Sequence, residues 1–220
     1  MTAQTITDYA SLVAAITEYL AREEDTTLIN RIPTFIQLAE AKFNRELRVR
    51  QMEQRATALV LPNSDEPEYI SLPLDFQSMR RVRISSIDCK PELTFLSVVQ
   101  ADEYRTSRGN TKGRPRHFTI FGTEIELIPT PDSDYTIEMI YRQNVPALSS
   151  DTATNWLLTF APDAYLYGAL LEAAPYIKDD DRIQVWGSAL VSTLDSISKL
   201  GMTSTFNAGP LAVRSNGATP

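Results

Sequence analysis

The 220 residues are 43% hydrophobic and 22% charged, an ordinary globular balance that suffices for one large domain or two small ones with a real core. A formal net charge of -7 opposes wholesale adhesion to DNA or to an anionic membrane and leaves room only for local basic patches. The single cysteine, Cys89, excludes an intrachain disulfide or a cysteine-based zinc cluster and is expected to be a small buried or half-buried hydrophobe, while the single histidine, His117, excludes a multi-histidine metal site.

The opening MTAQTITDYASLV has neither the basic nor the apolar region of a signal peptide, and no apolar run approaches the roughly 18 residues that span a bilayer. Cytoplasmic synthesis is therefore expected, with no membrane contact. Between Asp8 and Leu20, Tyr9, Leu12, Val13, Ile16, Tyr19 and Leu20 recur every three or four residues, predicting an amphipathic helix with Thr7 as its cap. After the polar break REEDTT a second stripe, Phe35, Ile36, Ala39, Phe43 and Leu47, predicts a helix to about Arg48 with Pro33 in its first turn.

From Gln51 the period changes to two. Thr57, Leu59 and Leu61 alternate along one strand, and Val82 and Ile84 alternate with Arg81 and Arg83. The same alternation holds for Phe118 and Ile120, for Ile125 and Leu127, and for Tyr135, Ile137, Met139 and Tyr141, with FGTE as a hairpin turn. One apolar face per strand predicts an antiparallel sheet or small sandwich, and LSVVQADEYR reads as a short helix or turn over it. Helices return at Asn155. Pro162 suits a helix start, Leu166, Ala169, Leu170, Ala173 and Ile177 form its stripe, and Pro175 limits its length. Asp179, Asp180 and Asp181 supply a cap for a last helix, whose Ile183, Trp186, Leu190, Leu194, Ile197 and Leu200 face inward and which Gly201 should end. The predicted fold is α+β: a bundle of four helices, two from 1–50 and two from 151–200, with a β insertion at 51–150 and an extended arm at 201–220. Leu166, Leu170, Trp186, Leu190 and Leu194 are its expected bundle core.

Chemistry is hard to find along this chain. His117 sits in the basic run RPRHF, a poor place for a general base. Glu23, Glu24 and Asp25 read as a solvated turn and the aspartate triplet as a helix cap, so neither suggests a hydrolytic carboxylate pair. Glycine-rich phosphate loops, nucleophile elbows and calcium-loop spacings are missing from the sequence, and no cofactor or metal is expected. The segment 105–123 holds Arg105, Arg108, Lys112, Arg114 and Arg116 and no acid. Three readings are open for it: an exposed charged loop, contact with an acidic neighbour, or contact with phosphate. The tail from Gly201 is poor in charge and rich in small residues, yet Phe206, Leu211 and Val213 are spaced along it like the anchors of an arm that orders on another protein.

Asn155-Trp156-Leu157-Leu158, then Ala161-Pro162-Asp163-Ala164-Tyr165-Leu166-Tyr167-Gly168, then Glu172-Ala173-Ala174-Pro175-Tyr176 and the step Lys178 to Arg182, resemble the C-terminal helical hairpin of the tail adaptor family of short-tailed bacteriophages. Phe35-Ile36 with Ala39-Glu40, Phe43-Asn44-Arg45 and Leu47-Arg48 is similar to that family's second helix, and Leu72-Pro73-Leu74-Asp75-Phe76 with Arg81-Val82 to its β insertion. The resemblance implies a virion protein at the head-to-tail junction. It implies a homo-oligomeric ring, typically twelvefold, beneath the portal, with portal and tail or nozzle proteins as partners and genomic DNA passing nearby. The C-terminal arm would reach the portal. The aromatic rings Tyr165, Tyr167, Tyr176 and Trp186 are more than one hairpin core needs and are expected to serve as assembly surface. Two other classes stay open: a nucleic-acid-binding module using segment 105–117, and a cell-wall hydrolase.

Overall fold

The computed structural model describes residues 5–22, 24–109, 111–177 and 182–205, the last four without their side chains. In chain order the elements are α1 (Tyr9–Tyr19), α2 (Thr26–Ile29), α3 (Ile32–Glu46), β1 (Glu53–Val60), β2 (Tyr69–Ser71), β3 (Phe76–Ile84), β4 (Thr94–Phe95), α4 (Val98–Arg108), β5 (His117–Phe121), β6 (Glu124–Ile128), β7 (Tyr135–Gln143), α5 (Trp156–Phe160), α6 (Pro162–Ile177) and α7 (Ile183–Thr205). The α+β class is as expected. Contacts divide the chain into a helical unit built from both ends, up to Gln51 and from Val145, and a β unit, Met52–Asn144.

In the helical unit α1 is capped one residue later than expected: Asp8, not Thr7, accepts from the Ser11 amide at 2.8 Å while Ser11 Oγ accepts from the Asp8 amide at 2.9 Å. Two Ser11–Asp8 bonds satisfy donors that the first turn cannot use internally. The polar break contains α2, because Asp25 caps Thr27 and Leu28 and Leu28 is fully buried. In α3 the expected stripe from Phe35 to Leu47 is buried throughout. Helix α6 contacts α1, α3, α5 and α7. Its approach to α3 is set by Gly168, where a Cβ would lie 2.9 Å from Phe43 Cζ and 3.0 Å from Ala39 Cβ. Pro175 lies inside α6, which runs on to Ile177. Tyr165 and Trp186 are buried in this unit's own core, not assembly surface, whereas Tyr176 is half exposed. Leu200 is exposed. Gly201 does not end the last helix: α7 continues to Thr205, and the glycine is needed because a Cβ would lie 2.8 Å from Val49 Cγ1. The aspartate triplet and Phe206, Leu211 and Val213 lie outside the described residues.

The β unit has a three-stranded sheet, β1-β7-β3, and a four-stranded one, β2-β6-β5-β4, whose apolar residues share one core. All pairings are antiparallel except β4 with β5, which is parallel, a correction to the purely antiparallel expectation. The phase of β1 is also the reverse of that expected. Its Ala56, Ala58 and Val60 pair with Met139, Ile137 and Tyr135 of β7 and share their core face, so Leu59 and Leu61 are exposed. The long apolar alternation of β7 sets the register, and a one-residue slip would turn every side chain over. On the other face Glu138, 1% exposed, lies between Arg55 (Nε to Oε2 2.9 Å) and Arg83 (Nε to Oε1 2.5 Å). Desolvation raises its carboxyl pKa, but the bonds and charges of Arg55 and Arg83 outweigh it and hold the group below its ordinary value. Gly122, with φ 59° at the first of two turn positions, joins β5 to β6 as FGTE predicted. Cys89 is exposed, not buried, in the turn that follows β3.

Candidate anion-binding cleft and buried polar network

Local structure in the β unit collects the basic residues into a concave site. Ser97 caps α4 through a reciprocal pair with Gln100, and Arg105 and Arg108 stand in the last turn, where cations complement the helix dipole. Gly109, φ 67°, turns the chain out of the helix. The following segment is fixed to residues 128–130: the Gly113 amide donates to the Thr130 carbonyl and the Arg116 amide to the Ile128 carbonyl, both at 2.8 Å. These bonds tie the backbone at Gly113 and Arg116 to the neighbouring segment, while the side chains of Lys112, Arg114 and Arg116 stay exposed. The result is a cleft of about 190 Å³ lined by Tyr104, Arg105, Arg108, Lys112, Arg114 and Arg116 together with Ile128, Pro129 and Thr130.

All five basic residues expected at a contact thus meet in one place. Arg105 is taken up by Glu126 and, at 3.8 Å, by Asp102. Arg108 lies over the Tyr104 ring at 5.2 Å, and the Tyr104 and His117 rings pack T-shaped with centroids 4.9 Å apart. Among the described residues no salt bridge reaches Arg108, Lys112, Arg114 or Arg116. The field of this site is visible in His117, whose pKa falls below its ordinary value through burial first and then through the nearby charges of Arg116 and Arg108. A neutral His117 adds nothing to the positive charge at neutral pH, so the attraction for an anion comes from the arginines and Lys112.

Sequence reading missed a second polar site, in the helical unit. Glu40 on α3, 5% exposed, accepts from the Leu148 amide at 2.8 Å and from the Tyr165 hydroxyl at 3.1 Å. Tyr165 in turn accepts from Asn155 Nδ2 at 2.6 Å, and the same Nδ2 donates to the Pro146 carbonyl at 2.7 Å. Asn155 Oδ1 caps α5 by accepting from the Leu158 amide. Burial pushes the Glu40 carboxyl up, against the opposing effect of its two bonds, and burial followed by the Glu40 charge pushes the Tyr165 hydroxyl up. The signal in the sequence is a glutamate inside an apolar stripe, between Ile36 and Phe43. The expected bundle-core residues Leu166, Leu170, Trp186, Leu190 and Leu194 are all buried around α6 and α7.

Among the described residues there is no His, Cys, Asp and Glu cluster with metal-binding geometry, and no helix is long and apolar enough to cross a membrane. No curated protein matches the chain. The family model described as SU10 adaptor protein matches residues 7–214.

Proposed function

Because the chain belongs to the SU10 adaptor protein family, a family of bacteriophage adaptors, we propose that it is a virion structural protein that forms a ring joining the capsid portal to the tail around the DNA exit channel. One observation carries the reading: the family match runs through both compact units, from residue 7 to residue 214, so it concerns the whole architecture and not one shared module. In this reading the helical unit builds the ring, the β unit supplies subunit or tail contacts, and residues beyond Thr205, with Phe206, Leu211 and Val213, dock on the portal. The partners are the portal protein, tail or nozzle proteins and further copies of this chain.

Two physical features suit that role. A head-to-tail interface closes into a ring only when the rotation between copies allows it, and a template of fixed symmetry supplies that rotation. A charge of -7 per subunit opposes premature assembly in solution, and an acidic lumen would repel the phosphate backbone and let DNA slide. The test is electron microscopy of the purified chain alone and mixed with portal complexes. Rings should form on the portal and not without it. Portals that stay bare at saturating protein would overturn the reading, and stable rings of the isolated chain at moderate salt would overturn the need for a template.

A further inference from the structure

We propose that the cleft formed by Arg108, Lys112, Arg114 and Arg116 is a docking site for a carboxylate-rich segment of a neighbouring protein. The proposal takes the existence of such a neighbour from the adaptor reading, and the chemistry of the site from the cleft itself. Its four cations lack salt bridges to described residues in a chain whose acids outnumber its bases, 28 to 21. Holding like charges together costs free energy that an incoming anion recovers. The backbone bonds from Gly113 to Thr130 and from Arg116 to Ile128 hold the backbone there beforehand, so the ordering left for binding is chiefly that of the side chains. Guanidinium forks donate two parallel bonds to a carboxylate, which a point charge cannot offer.

The size and surroundings favour a peptide over nucleic acid. A cleft of about 190 Å³ admits one or two acidic side chains, whereas a duplex is far too wide to enter and could touch only its rim. Single-stranded nucleic acid gains much of its affinity from stacking on aromatic faces. Here the one ring in the lining, Tyr104, already carries Arg108 over its face and packs T-shaped with His117. Net charge points the same way. A long polyanion meets the repulsion of the whole -7 chain, while a short acidic segment feels mainly charges within a screening length of about 10 Å at 0.1 M salt.

Fluorescence anisotropy on the full chain tests this with a labelled short polyglutamate peptide and a labelled single-stranded oligonucleotide of equal charge, both at about 0.1 M salt. The peptide should bind saturably and more tightly than the oligonucleotide. Arg114→Glu with Arg116→Glu should weaken it about 10-fold or more, since two charge-assisted contacts become repulsive. The gentler pair Arg114→Gln with Arg116→Gln should weaken it less while keeping the wild-type melting point, and Lys90→Glu, an exposed lysine outside the cleft lining, should leave it unchanged. Three results overturn the proposal: no saturable peptide binding by the wild type, equal losses in Lys90→Glu and the cleft variants, or tighter binding of the oligonucleotide. Portal decoration is scored separately. Absent peptide binding by the wild type with intact decoration removes the cleft alone; failed decoration with intact peptide binding removes the adaptor reading and leaves the cleft standing.

Discussion

Glu40 is a buried carboxylate held by two neutral donors and, among the described residues, by no salt bridge, an arrangement in which desolvation outweighs hydrogen bonding. Its folded pKa lies above the ordinary 4.5, so the native state holds its proton more tightly than the unfolded chain does. The sign follows from linkage: the contribution of Glu40 to stability is fully present below 4.5 and is lost as pH rises through the raised value. Glu138 and Asp8 act oppositely, because their lowered values favour folding at neutral pH and that contribution is lost in acid. Comparing Glu40→Gln with the wild type isolates the one group. The variant keeps an acceptor for Leu148 and Tyr165, so its melting point should exceed that of the wild type at neutral pH, with the gain vanishing toward pH 4.5. A gain independent of pH, or a loss at neutral pH, would show that the charge is not the issue. Tyr165→Phe removes the donor to Glu40 and the acceptor for Asn155, and should cost about 1–3 kcal/mol in denaturant unfolding, the cost of unpaired buried polar groups.

At the scale of elements, the contact of α3 with α6 depends on a missing side chain. Gly168→Ala gains roughly 1 kcal/mol of helix propensity, but its Cβ would lie 2.9 Å from Phe43 and 3.0 Å from Ala39. Overpacking of this kind costs about 1–3 kcal/mol, so the variant should melt lower than the wild type, and an equal or higher midpoint would mean that the helices separate freely. Trp186→Ala on α7 should cost about 3–5 kcal/mol, because this ring is buried in the helical unit; a midpoint within experimental error of the wild type would place it outside the cooperative core. The long helices were legible because a stripe repeating every three or four residues has one way to be buried. The phase of β1 was not, since Leu59 and Leu61 are apolar yet exposed, and the face is chosen by β7 some eighty residues away in the pairing. The two-residue β4 carries no pattern, and α2 and α5 are too short for one, although their caps Asp25 and Asn155 stand in plain view. Composition revealed the basic residues of the cleft but not its concavity, which depends on bonds to residues 128–130. Glu40 escaped notice because its partners Leu148 and Tyr165 lie 108 and 125 positions away.

For the whole molecule, the adaptor reading turns on what lies beyond α7. The helix is held at Gly201 against Val49 and continues to Thr205, so a truncation meant to remove only the docking arm must begin at Phe206 and spare that contact. Phe206, Leu211 and Val213 could each contribute about 1.5–3 kcal/mol if buried in a partner. A docked arm must also fix its backbone, at about 1–2 kcal/mol per residue, so three anchors do not hold one arm for long. A ring changes the arithmetic: once one arm is seated, its neighbours bind at the high effective concentration set by the portal's symmetry, and attachment becomes tight although each arm is weak. Deleting residues 206–220 should therefore leave the melting point of the free chain unchanged while abolishing its sedimentation with portal-bearing capsids. A single substitution such as Leu211→Ala should act disproportionately, because a small loss per arm is repeated at every copy in the ring. If the truncated chain still decorates those capsids at wild-type occupancy, the portal is engaged by another surface, and the arm has no part in docking.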